Sequence, residues 1–147
     1  MLSANELDLR LKELSEKAIP GALEGTQVIV FKDDIASKAR EQTNDRPYLI
    51  GLVPPADIEG RADGYTYANT LELFVGVKIN ARGSIETLAS DMTKCADAVT
   101  AIVRYIQERS LEDRFWARVS LSGAHIEPVV VQQMRGLVVI LKVKTSL

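Results

Sequence analysis

One cysteine, one histidine and an aromatic content of only 5% in 147 residues remove several classes of function at once. Cys95 has no partner for an internal disulfide, and Cys95 with His125 falls short of the four ligands of a structural zinc site within one chain. No apolar run approaches the roughly 20 residues a membrane-spanning helix needs. The first residues lack the charged, apolar and small-residue blocks of a secretory signal. With Cys95 on an apolar helix face, the expectation is a reducing compartment. The formal net charge of −2 gives no general attraction to nucleic acid or to an anionic membrane. Arg109, Arg114 and Arg118 are offset by Glu108, Glu112 and Asp113, and with few aromatics nearby they form no platform for stacked bases.

What is present begins with a long helix. Ile85, Leu88, Met92, Cys95, Val99, Ile102 and Ile106 recur at spacings of three and four, which predicts one buried face over Ser84–Glu108. Ser84 is the expected N-cap, and Glu86 suits the positive end of the helix dipole. Ala89, Ala96 and Val103 on one flank, and Asp91, Ala98 and Tyr105 on the other, make the stripe broader than a coiled-coil seam. About 24 helical residues rise roughly 36 Å, the length of the alternating strand predicted at Thr70–Asn80. A long helix lying along a long sheet follows.

Ser3 and Glu6 have capping-box spacing, and Leu7, Leu11, Leu14 and Ala18 repeat on one face, predicting a first helix over Asn5–Lys17 stopped by Pro20 and Gly21. Thr26–Phe31 and Pro47–Val53 read as strands, with a short helix over Ile35–Gln42 capped by Asp33 or Asp34 between them. Ala56–Asn69 carries Gly60, Gly64 and two aspartates with no helical period, and is expected to be a long loop or hairpin tip. Three antiparallel strands are expected at Arg114–Leu121, Ile126–Gln133 and Leu137–Lys144, with turns at Ser122-Gly123 and Arg135-Gly136. The whole is a single α+β domain: a mixed or antiparallel sheet packed by the long helix and an N-terminal helix, in the order α-β-(α)-β-β-α-β-β-β, the third strand being Thr70–Asn80 with its preceding loop or hairpin.

In that sheet Leu71, Leu73, Val75, Val77 and Ile79 are expected to face the helix. The opposite face keeps Val138 and Ile140, and Phe74 and Trp116 are expected to extend it. Two explanations stand for such an apolar face: it is an assembly interface, or the N-terminal helix or the long loop folds over it.

The chemical inventory points away from an enzyme. His125 sits at a turn beside Gly123 and Glu127 as a solvated residue, and Cys95 lies in the packing stripe rather than an accessible electropositive site. Neither a phosphate-binding glycine loop nor a serine elbow is present. Asp33-Asp34 serves as a helix cap, and Asp57, Glu59 and Asp63 as loop solvation, so no metal or cofactor is expected.

The order of elements carries one resemblance. An amphipathic helix ends at Ile19-Pro20-Gly21, and a polar stretch opens onto Leu71-Glu72-Leu73-Phe74-Val75-Gly76-Val77-Lys78-Ile79. A single long helix then leads to a C-terminal run ending Leu137-Val138-Val139-Ile140-Leu141-Lys142-Val143. As a pattern over nearly the whole chain this resembles the small tail proteins of long-tailed bacteriophages and prophages, most nearly the tail terminator or tail completion type. The resemblance implies a structural protein that forms a homo-oligomeric ring, caps the tail tube and offers a surface to the head. Its partners would be other copies of itself, the tail tube and head-completion proteins, with no sequence-specific nucleic-acid recognition and no membrane. It would reside in the virion tail, and in the host cytoplasm during assembly. The resemblance fixes no ring size and carries over no individual residue. The residues themselves nominate Arg61, Tyr65 and Tyr67 on the loop, with Phe74, Trp116, Val138 and Ile140 on the sheet, as interface candidates. The alternative is a ligand-binding or regulatory ferredoxin-like domain, with Tyr65 and Tyr67 walling a pocket beneath the loop.

Overall fold

The first helix starts where Ser3 predicts it. In the computed structural model, which describes residues 1–31, 34–35, 46–79, 83 and 85–147, α1 spans Ala4–Glu13 and the Ser3 hydroxyl accepts from the Glu6 N–H at 3.2 Å. A π-helical turn over Leu14–Ala18 completes it before Pro20. The elements that follow are β1 (Gly25–Ile29), β2 (Tyr48–Leu52), β3 (Ala56–Arg61), β4 (Gly64–Lys78), the long helix α2 (Ile85–Arg109), the short helix α3 (Arg114–Ala117), β5 (Val119–Val131) and β6 (Met134–Ser146). The sheet runs β1-β2-β4-β6-β5, with β3 beside β4. Only β1 and β2 are parallel; every other pair is antiparallel. The fold is α+β with a mixed sheet. The expected cap at Ser84 and most of the expected helix at Ile35–Gln42 lie outside the described residues.

Both described long helices pack on one sheet face. Leu7, Leu11 and Leu14 meet Leu71, Leu73, Val75 and Val77 from β4, Val139, Leu141 and Val143 from β6, and Cys95, Val99, Ile102 and Ile106 from α2 in one continuous core. At Gly51 on β2 an added Cβ would sit 3.0 Å from the Leu11 Cδ1, so the bare backbone there lets α1 lie close. The N-terminal helix therefore does not cover the opposite face. That face has its own small core of Ile29, Ile35, Ile50, Phe74 and Met134. The Phe74 ring lies across Gly76, where an added Cβ would fall 2.4 Å from it.

One expectation is narrowed here and another corrected. Of the two readings of Ala56–Asn69, the long loop gives way to the hairpin, which extends over the whole stretch, with Ala56 opposite Asn69 and Arg61 opposite Gly64. The C-terminal region holds two long strands rather than three. Asp113 Oδ1 accepts from the N–H groups of Phe115 at 2.8 Å and Trp116 at 3.2 Å, which turns Arg114–Ala117 into a capped helix. The Ser122-Gly123 signal marks an irregularity inside β5, where the register shifts between Ser120 and His125, not a chain reversal.

Candidate assembly surfaces

The sheet outgrows the helices at one end. β2 pairs with β4 only as far as Glu72, and β4 runs on to Gly64, roughly 27 Å further at about 3.4 Å per residue. Along this extension β3 flanks β4 on one side and the end of β6 on the other, giving a three-stranded tongue. Its root is fixed by Asn69, which is fully buried. The Leu2 N–H donates to Asn69 Oδ1 at 3.0 Å, and Asn69 Nδ2 donates to the Val143 carbonyl at 2.8 Å.

Antiparallel partners share a sheet face, so the register sorts the tongue's side chains. Ile58 lies opposite Tyr67, and Tyr65 lies two residues along β4, all three on the face that carries the helices elsewhere. Ile58 is 63% exposed and Tyr65 48% exposed. The reverse face holds Asp57 opposite Ala68, and Ala68 in turn opposite Lys144. Arg61 is exposed at the hairpin end. Thus Arg61, Tyr65 and Tyr67 come together on one projecting element.

The four sheet candidates separate. Trp116 does not extend the second face. It is 1% exposed, sits on α3 in the helix-side core, and its indole N–H donates to Glu13 Oε2. Tyr105 and Phe115 meet it edge to face, with centroids at 6.2 and 4.9 Å. Phe74 does lie on the second face but is 1% exposed, enclosed by the small core. Val138 is buried as well, and Ile140 is half-buried. Ile35, Leu52, Glu72 and Glu127 share with these two a depression of about 120 Å³. What sequence treats as a wide apolar patch is in part enclosed, with Ile35 and Leu52 beside Phe74 and Val138.

Two surfaces escaped the sequence. The first is an apolar groove of about 390 Å³ between the start of α2 and the edge strand β5, lined by Leu88, Met92, Pro128, Val129 and Val130. Ile85 is 84% exposed and Val130 68% exposed beside it. The expected helix stripe is thus buried only from Asp91 onward, through Cys95, Ala98, Val99, Ile102 and Ile106. The second is a shallow depression of about 420 Å³ lined by Arg118, Ser120, Lys142 and Lys144 at the other end of β5. A signal for it exists in the alternation of Lys142 and Lys144 with buried Leu141 and Val143.

Burial first, then nearby Asp91, pushes the Cys95 thiol up to about 11. Burial would raise Asp113, but the N–H groups of Trp116 and Phe115 and the guanidinium groups of Arg10 and Arg109 outweigh it and hold its carboxyl below the ordinary value. His125 is exposed with Nε2 3.1 Å from Glu127 Oε2. Among the described residues no three His, Cys, Asp or Glu side chains converge as a metal site, and no helix is long and apolar enough to cross a membrane. Comparison with protein-family models and with curated proteins finds no match.

Proposed function

We propose that this chain is the subunit of a ring that caps a phage tail tube and joins it to the head. The observation that carries this is the tongue. A two-residue-turn hairpin and the end of β6 project beyond the helices, exposing Ile58 and Tyr65 and leaving the outer edge of β3 without a neighbouring strand among the described residues. Proteins usually blunt or cover such an edge. The depression lined by Arg118, Ser120, Lys142 and Lys144 lies across the sheet from that edge, where β6 meets the start of β5. Two different patches at opposite edges suit a heterologous contact, which closes into a ring when the rotation between copies allows.

The test is functional. Added to tail-tube protein during polymerisation, the chain should bind tube ends and stop their growth, seen as shorter tubes bearing a terminal ring by electron microscopy. Tubes of unchanged length with no protein at their ends would contradict the proposal.

A further inference from the structure

We infer that the ring is built by charge-matched sheet edges, the acidic edge of β3 in one copy lying along the basic edge formed by β6 and the start of β5 in the next. This rests on the ring reading and names the surfaces that would meet.

The register puts the two charges at opposite ends of the same rows. Asp57 pairs with Ala68, Ala68 pairs with Lys144, and the Lys144 N–H donates to the Arg118 carbonyl at 3.2 Å. One row therefore runs from a carboxylate on the open edge to cations on the far edge, across roughly 14 Å at about 4.8 Å per strand. Two residues along, Glu59 pairs with Thr66 and Thr66 with Ser146. Asp63 lies in the hairpin turn, and Arg61 is the one cation of the ribbon. On the far side Lys142 pairs with Ser120, next to Lys144 and Arg118 in the shallow depression.

Neither set of charges is satisfied within the subunit. Among the described residues no ion pair involves Asp57, Glu59, Asp63, Arg118, Lys142 or Lys144, although the same chain pairs Arg10, Lys12, Arg109 and Arg135. Both edges are also open. β5 begins at Val119 opposite Val143, so among the described residues Thr145 and Ser146 have no strand beside them on that side, and β3 has none on its outer side. A second copy supplies what each edge lacks: an acidic edge repels another acidic edge, a basic edge another basic edge, and each accepts only the other kind. That selects head-to-tail contacts over symmetric dimers.

Charge reversal tests this on exposed residues that leave the fold alone. Lys142→Glu with Lys144→Glu makes both edges acidic, and Asp57→Lys with Glu59→Lys makes both basic. Each variant alone should need at least tenfold more protein than wild type for half-maximal assembly by light scattering. An equimolar mixture should restore assembly, and only in rings with an even number of subunits that alternate the two variants. Wild-type assembly should weaken with added salt. If wild type assembles but both variants assemble equally well, the edges are not the interface and the ring reading survives. If only the basic-edge variant fails and the mixture does not rescue it, its cations meet an anion other than β3, and the inference is overturned. A wild type that stays monomeric removes the ring reading itself.

Discussion

Arg135 on β6 donates from Nη2 to Asp91 Oδ2 at 3.0 Å, tying the long helix to the outer hairpin. Both side chains are largely buried, and Arg135 Nε has no hydrogen-bond partner in its position. Removing one partner leaves a buried charge, which is far costlier than replacing the pair. Asp91→Ala should destabilise the protein by about 3 kcal/mol. Asp91→Leu combined with Arg135→Met should recover most of that. Urea unfolding of the three proteins checks it; a double variant no more stable than Asp91→Ala would contradict it.

Trp116 should matter to the subunit rather than to its contacts. Trp116→Ala opens a cavity between α1, α2 and α3 and should cost about 3–5 kcal/mol. Trp116→Phe, which loses chiefly the bond to Glu13, should cost about 1–2 kcal/mol. Melting temperatures decide: a Trp116→Ala protein that melts like wild type but fails to assemble would return this residue to the interface.

The second face can be dissected by two substitutions to lysine. Ile140 is half-buried with Glu72 and Glu127 lining the same depression, so the stem of a lysine can lie in it with the ammonium near those carboxylates. Ile140→Lys should keep a cooperative transition and lose about 1–2 kcal/mol. Phe74→Lys places a charge in the enclosed small core and should abolish folding. Identical behaviour of the two would mean that this face is either wholly open or wholly buried.

Much of this architecture was legible in the chain. The three-and-four spacing of Cys95, Val99, Ile102 and Ile106 and the alternation of Leu71 to Val77 locate the main core directly. Capping chemistry at Ser3 was equally plain. What was not legible depended on tertiary context. Trp116 was read by strand alternation, whereas a cap from Asp113 moved it onto a helix facing the other way. Ile85 and Leu88 match the buried stripe in spacing, but Ile85 is left exposed and Leu88 lines the open groove beside β5. Nothing local in Ala56–Asn69 says that its strands find β6 as a third neighbour. The assembly candidates split for the same reason: a side chain's face can be read from alternation, its cover cannot.

Cys95 gives a pH prediction. Its thiol is raised from 9.0 to about 11 by burial and then by Asp91. The folded state therefore holds the proton after the unfolded state has released it. The stabilisation is complete below pH 9 and falls as pH rises toward 11, by roughly 2–3 kcal/mol at about 1.4 kcal/mol per unit. Cys95→Ala should lack this component, seen by comparing urea midpoints of the two proteins from pH 8 to 11. Parallel curves would contradict it. In the native protein at pH 8 the thiol should also resist alkylation.

The central claim is that this chain closes into a ring through two unlike surfaces, and native mass spectrometry of the purified wild-type protein tests it most directly. The account predicts one dominant closed species of three or more identical subunits, unchanged in stoichiometry as concentration rises. A monomer at every concentration, a dimer that grows no further, or an unbroken ladder of sizes would contradict it.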